Sequence, residues 1–194
     1  VVNLNYTASL PSLLSAVEKA EIRSLYTSRR FLRKLEQRGV KLDELLARVQ
    51  VHILEDLKDE IGTLSRLILL LCAVVLPARL LYALFGRRAR INDPAAILFS
   101  SGSEGEPKGV VLSHRNIMAN IRQISDVLDV RDEDTIMGTL PLFHAFGLTV
   151  TGLMPLVEGI PVVFHADPTD AVTIARAIAK HQATVYCGTS TFLR

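Results

Sequence analysis

Helix and strand signals alternate along this 194-residue chain, and the alternation predicts an α/β fold, a mainly parallel sheet flanked by helices. Two further observations agree. Short apolar runs such as Ala95-Ala96-Ile97-Leu98-Phe99 have the length of buried strands. Between such runs lie segments whose apolar residues recur at steps of three and four, the period of a helix with one buried face. A chain of 194 residues can bury a sizeable core, so a single domain over 1–194 is the expectation.

In chain order, Leu13, Leu14, Val17 and Ala20 share one face of a first helix, and Ile22 to Tyr26 reads as a strand. Ser28 offers a capping hydroxyl to a second helix bearing Phe31, Leu32 and Leu35, which Gly39 closes. Leu42 to Val49 predicts a short helix and Gln50 to Leu54 a strand. After Ala95–Phe99, Val110 to Leu112 reads as a strand, the return arm of a hairpin. Ser113 then caps a helix whose apolar stripe is Ile117, Ile121, Ile124 and Leu128. Thr135 to Leu140 reads as a strand ending at Pro141, which has no amide hydrogen to continue a ladder. Ala145 to Val157 is apolar on every side, so a helix there is expected to be buried all round. Pro161 to His165 predicts a strand, Val172, Ala175, Ile178 and Ala179 a helix face, and Thr184 to Cys187 a last strand.

Leu67 to Phe85 departs from this pattern. Its uninterrupted apolar part ends at Ala78, short of the roughly 20 residues that span a bilayer. Arg79 interrupts the run, and beyond its end at Phe85 come Arg87, Arg88 and Arg90. Over 64–90 the expectation is a membrane-associated helical insertion, its arginines against anionic headgroups. A buried pair of helices broken at Pro77 and a true span are the alternatives left open.

Composition excludes other classes. A net charge of +2, no tryptophan and no basic stripe interleaved with aromatics argue against nucleic acid as a partner. Cys72 and Cys187 show neither a pairing pattern nor metal-ligand spacing, so no metal site is predicted and a reducing, cytoplasmic setting is expected. There is no basic region followed by a long apolar run at the start, and no initiating methionine, so the chain reads as a piece of a longer protein without a signal peptide.

The segment richest in chemistry is SSGSEGEPKG, Ser100 to Gly109, with three serines, three glycines and one lysine directly after a strand signal. Glycines let backbone approach a ligand closely. Hydroxyls and successive amides can cradle an anion, and Lys108 adds a mobile positive charge at the far end. The spacing is neither G-x-x-x-x-G-K-[ST] nor G-x-G-x-x-G.

Ser100, Ser101, Gly102, Ser103, Glu104, Gly105, Pro107, Lys108 and Gly109 match the phosphate loop of the adenylate-forming superfamily, [ST]-[ST]-G-[ST]-[TE]-G-x-P-K-G, and the chain resembles that superfamily. VVLSHRNIMANI (Val110 to Ile121), PLFHAFGL (Pro141 to Leu148) and the run Cys187 to Arg194 resemble its following segments in order and spacing. NLNYT (Asn3 to Thr7) and TSRRFL (Thr27 to Leu32) look similar to one branch, the acyl-acyl-carrier-protein synthetases and the synthetase part of 2-acylglycerophosphoethanolamine acyltransferase.

The resemblance implies ATP-dependent activation of a fatty acid to acyl-AMP, then transfer to acyl-carrier protein or coenzyme A. ATP and Mg²⁺ are the implied cofactors, with metal ligands mostly outside this chain. Membrane phospholipid is an implied further partner, and the inner face of the cell membrane the implied location. By the same resemblance Ser100, Ser101, Gly102, Ser103, Glu104 and Gly105 face the ATP phosphates, and Lys108 and His144 are the catalytic candidates. Glu104 stands where many members carry threonine, and either Mg²⁺ or loop amides could be its partner. Phe143, Phe146, Gly188, Thr189 and Ser190 are assigned to the substrate pocket. A coenzyme A ligase for another acid and a non-catalytic membrane-docking module are the competing readings. Residues 1–194 lack the superfamily's later motifs, so they cover part of its large N-terminal domain and are expected not to complete the reaction alone.

Overall fold

The computed structural model describes residues 1–86, 89–100, 107–131 and 133–188. Strand β1 (Val2–Asn3) is followed by α1 (Leu10–Lys19), β2 (Ser24–Thr27), α2 (Arg29–Gln37), α3 (Asp43–Ala47), β3 (Gln50–Ile53), α4 (Leu54–Glu60), α5 (Thr63–Val75) and α6 (Ala78–Phe85). Then come β4 (Pro94–Ser100), β5 (Lys108–Ser113), α7 (His114–Leu128) and β6 (Ile136–Gly138). A π-helical segment (Gly147–Leu153) runs into α8 (Met154–Glu158), and β7 (Val162–Phe164), α9 (Ala171–His181) and β8 (Val185–Cys187) complete the order. Two compact units result, one of residues 1–7 and 91 onward, the other of residues 8–90.

In the unit of residues 8–90, β2 and β3 pair in parallel from Ser24 opposite Gln50 to Thr27 opposite Ile53. Leu13, Ala16 and Val17 of α1, Leu35 of α2 and Leu45 of α3 are its buried apolar side chains. Ser28 caps α2 as expected, its hydroxyl accepting from the Phe31 amide at 3.1 Å. β2 starts at Ser24, two residues later than the apolar pattern suggests. The reason is a helix closure: Glu21 turns left-handed at φ 49° and the Ile22 amide donates back to the Val17 carbonyl at 2.9 Å. Ile22 thus finishes α1 before a strand can begin. The helix α5 ends at Val75, and Leu76 and Pro77 are extended, with ψ of 138° and 148°. The break at Pro77 agrees with the sequence, but burial does not: neither α5 nor α6 contains a buried residue. Among the described residues no helix is long and apolar enough to cross a membrane.

In the other unit, β4 pairs in parallel with β1 and in antiparallel fashion with β5. β6 lies between β7 and β8, parallel to both. Four of the five strand pairings among the described residues are therefore parallel, but they fall in three sheets rather than one. α7 joins two of these sheets. Its Ile121 packs with Ile136, Val150, Met154 and Ile160 in one core cluster, with Ile117 and Ile124 against it. Leu128, one turn past that cluster, is exposed rather than buried.

The helical stretch after Pro141 also departs from expectation. Val150, Thr151, Met154 and Pro155 are buried, but Leu156 and Val157 face solvent, so the segment has a core face and an open face. Inside it the Thr151 hydroxyl donates to the Gly147 carbonyl at 2.8 Å, which accompanies the wider π winding.

The start of α7 is set by a reciprocal cap. The Asn116 amide donates to Ser113 Oγ at 3.2 Å, and the Ser113 amide donates to Asn116 Oδ1 at 3.0 Å. Ser113→Ala is expected to cost about 1 kcal/mol of stability, read as a lower urea midpoint at unchanged m-value.

Candidate functional site

Ser101, Gly102, Ser103, Glu104 and Gly105 lie outside the described residues. Their frame does not. The β4–β5 hairpin makes Ser100 and Lys108 direct cross-strand partners, and Ser100 Oγ sits 3.5 Å from the Lys108 carbonyl oxygen. Cross-strand Cα atoms lie about 5 Å apart, so this pairing ties the two ends of the loop together. Pro107 is buried just inside the mouth, and Lys108 beside it is exposed. Among the described residues no carboxylate forms an ion pair with Lys108. Gly109 permits this tight mouth: a Cβ there would stand 3.1 Å from Phe99 Cε1, so the phenylalanine ring lies over the glycine.

His144 belongs to the turn beyond β6. Its amide donates to the Pro141 carbonyl at 3.1 Å, and its carbonyl accepts from the Leu148 amide at 2.9 Å. The backbone is held on both sides while the imidazole stays exposed. Phe143 is buried beside it, with ring centroids 4.5 Å apart. The Tyr6 ring meets Phe143 edge-on at 5.1 Å, and Asn3 Nδ2 donates to the Leu142 carbonyl at 3.1 Å. The first residues of the chain therefore brace the histidine turn. Gly147 closes it, because a Cβ at that position would run into the Pro141 carbonyl. Phe146 is half exposed.

Gly188 follows β8, and Gly138 of β6 pairs with Cys187. The structure thus brings the turn bearing Phe143 and His144, and Gly188, to the carboxyl edge of one parallel sheet, where ligands of open α/β sheets gather. Thr189 and Ser190 lie outside the described residues. Beneath this edge Thr139 is buried, with its hydroxyl 3.4 Å from the Tyr186 hydroxyl. The Cys187 thiol is pushed up by burial, which disfavours its thiolate.

His165, which the sequence shows without a partner pattern and so assigns to surface or packing, meets Asp170 at the same edge. The His165 amide donates to the Gly138 carbonyl at 3.0 Å, and its Nε2 lies 3.4 Å from Asp170 Oδ2 without hydrogen-bond alignment. Asp170 caps α9; hydrogen bonds from the Thr173 hydroxyl and amide, then the nearby histidine, hold its carboxyl below the usual range. The available signal was an aspartate at a helix start five residues after a strand-ending histidine. Asn3 and Tyr6 carry no signal by spacing; packing alone places them.

The profile of the family described as AMP-binding enzyme matches residues 1–194. Acyl-CoA ligase SID4 of Ajellomyces capsulatus is 36% identical over 99 residues, 51% of this chain and 17% of that protein. The medium-chain-fatty-acid–[acyl-carrier-protein] ligase TtuA of Teredinibacter turnerae is 43% identical over 79 residues, 40% of this chain and 12% of that protein. The chain thus spans less than a fifth of either relative. Among solved structures, o-succinylbenzoate coenzyme A synthetase of Bacillus subtilis in complex with ATP and magnesium ion superposes with a TM-score of 0.74 at 20% identity, over 99% of this chain and 34% of that one. A malonyl-CoA ligase ternary product complex superposes with a TM-score of 0.70 at 21% identity, over 98% and 34%. These two likenesses establish the fold.

Proposed function

The chain belongs to the AMP-binding enzyme family, and from that premise we propose that it is the phosphate-loop part of an ATP-dependent ligase joining a fatty acid to a thiol. The carboxylate attacks the α-phosphorus of ATP, the bond to the bridging oxygen breaks, and pyrophosphate leaves with acyl-AMP formed. A thiol sulfur of acyl-carrier protein or coenzyme A then attacks the acyl carbon and AMP leaves.

The observation that carries this reading is the Ser100–Lys108 pairing, which holds the two ends of a serine- and glycine-rich loop together and leaves a cation at its exit. Negative charge grows on the departing pyrophosphate, so amides, hydroxyls and an ammonium assembled beforehand stabilise the transition state more than the ground state. On this reading Ser100 to Gly105 hold the phosphates and Lys108 neutralises the leaving group. His144 donates one hydrogen bond near the carboxylate, Phe143 and Phe146 wall the acyl chain, and Gly188, Thr189 and Ser190 complete the pocket. Mg²⁺ supplies further charge neutralisation on the phosphates when bound; among the described residues no three of His, Cys, Asp or Glu gather to hold it.

The names of the relatives favour two acceptors and more than one acid, since they include a sulfoacetate–CoA ligase of Cupriavidus necator, 44% identical over 72 residues. A coenzyme A ligase for another acid is therefore the second reading. The fatty-acid reading draws on TtuA and on the branch that NLNYT and TSRRFL resemble; on that reading the enzyme works in the cytoplasm, at the inner face of the cell membrane, on acyl chains from membrane phospholipid. The test assays full-length protein with ATP and acids of increasing chain length, each with coenzyme A and with acyl-carrier protein. Preference for fatty acids over short polar acids, with either acceptor, is expected; preference for a short polar acid with coenzyme A overturns the fatty-acid assignment.

A further inference from the structure

We propose that α5 and α6 rest in the surface of an anionic lipid bilayer, with the arginines around them against lipid phosphates. The geometry of this element supports such a contact independently of adenylation. α1, α2, α3, α7, α8 and α9 each bury at least one residue; α4, α5 and α6 bury none, and of these three α4 is charged while α5 and α6 are apolar. Leu67, Leu71 and Val74 on α5 are 62%, 62% and 75% exposed, and Leu84 and Phe85 on α6 are both 60% exposed. Soluble monomers seldom leave contiguous apolar patches beyond a few hundred Å² uncovered.

Length decides between crossing the bilayer and lying on it. At about 1.5 Å per residue, the 13 residues of α5 reach about 20 Å and the eight of α6 about 12 Å, against a hydrocarbon core of about 30 Å. The extended pair Leu76–Pro77 prevents the two from adding into one rod.

Charge decides the occupant. From Ile61 to Asn92 the sequence holds no aspartate, glutamate or lysine, and its described charged residues are arginines, with Arg79 at the start of α6. A second copy of this surface would set like charges face to face. An acidic protein surface would meet the arginines but not the leucines and valines. Anionic lipid meets both, with headgroup phosphates for the guanidinium groups and acyl chains for the apolar side chains. The acidic residues of α4, Glu55, Asp56, Asp59 and Glu60, end where this stretch begins, which marks the edge of the contact.

The test is flotation of full-length protein with vesicles of phosphatidylcholine alone or mixed with phosphatidylglycerol. Flotation with the mixed vesicles that weakens with salt is expected. The variant Leu67→Ser/Leu71→Ser/Val74→Ser should stay at the bottom of the gradient while keeping its circular dichroism, because the replaced side chains are exposed on a helix that buries nothing. Arg79→Gln should lower binding to mixed vesicles by roughly fivefold. Protein that fails to float with mixed vesicles overturns the proposal. So does a lipid-free oligomer that the serine variant dissolves in the absence of any vesicle binding, since a second copy would then be the occupant.

Discussion

Lys108→Ala in the full-length protein is expected to lower ATP–pyrophosphate exchange by about 10²–10³-fold, the usual loss when one preorganised donor to a developing anion is removed. The pairing of residue 108 with Ser100 is a backbone pairing, and the lysine side chain is exposed. Alanine therefore keeps the loop mouth and removes only the ammonium. Stability and circular dichroism should match the parent protein, which separates lost charge from lost fold. Because the charge matters most as pyrophosphate departs, kcat should fall while the KM for the fatty acid changes little. Lys108→Arg should recover part of the rate, since it restores the charge with different geometry. Exchange that remains within about twofold of the parent would remove the lysine from the chemistry and favour the non-catalytic docking module.

The second large effect is expected at Gly147→Ala. A methyl group there meets the Pro141 carbonyl and the Leu140 backbone, which cannot swing aside as a side-chain tip can. Overpacking of this kind costs about 1–3 kcal/mol. Relief requires the turn between Pro141 and Gly147 to move, and that turn presents His144. A displacement of about 1 Å at a group that positions substrate can cost about 10²-fold in rate. Gly152→Ala is the internal control. It lies in the same π-helical segment, but its Cβ would meet the terminal methyl of Leu142 at 3.2 Å, and that methyl can rotate away. Activity loss at Gly147 well beyond that at Gly152 supports the histidine assignment. Equal and small losses at both positions would show that the turn tolerates movement and that His144 does not act there.

Much of this was readable from local chemistry. Ser28 and Ser113 announced the starts of α2 and α7, because a side-chain hydroxyl satisfies amides within the same turn. The Ile117, Ile121 and Ile124 stripe announced which face of α7 meets the core. The serine-glycine-lysine run announced the family that the comparison then established over residues 1–194. Ranges were less legible where the signal was not local. The end of α1 absorbs Ile22 through a left-handed glutamate, a closure usually marked by glycine, and β2 starts late as a result. β1 went unrecognised because two residues carry no periodicity; only the ladder to Ile97 and Leu98 makes them a strand.

The family's serine-glycine-lysine run, where the helices begin and which of their faces are apolar are written in short-range groups, whose partners sit within one turn or one strand spacing. Three-dimensional packing chose what no short window contains. It divided the parallel pairings among three sheets, set His144, Gly188 and His165 along one sheet edge, braced that edge with Asn3 and Tyr6, and left α5 and α6 without a buried residue. The reason is physical: burial and strand pairing depend on partners up to 139 residues away in sequence, as between Asn3 and Leu142, and such partners come together only once the chain has folded.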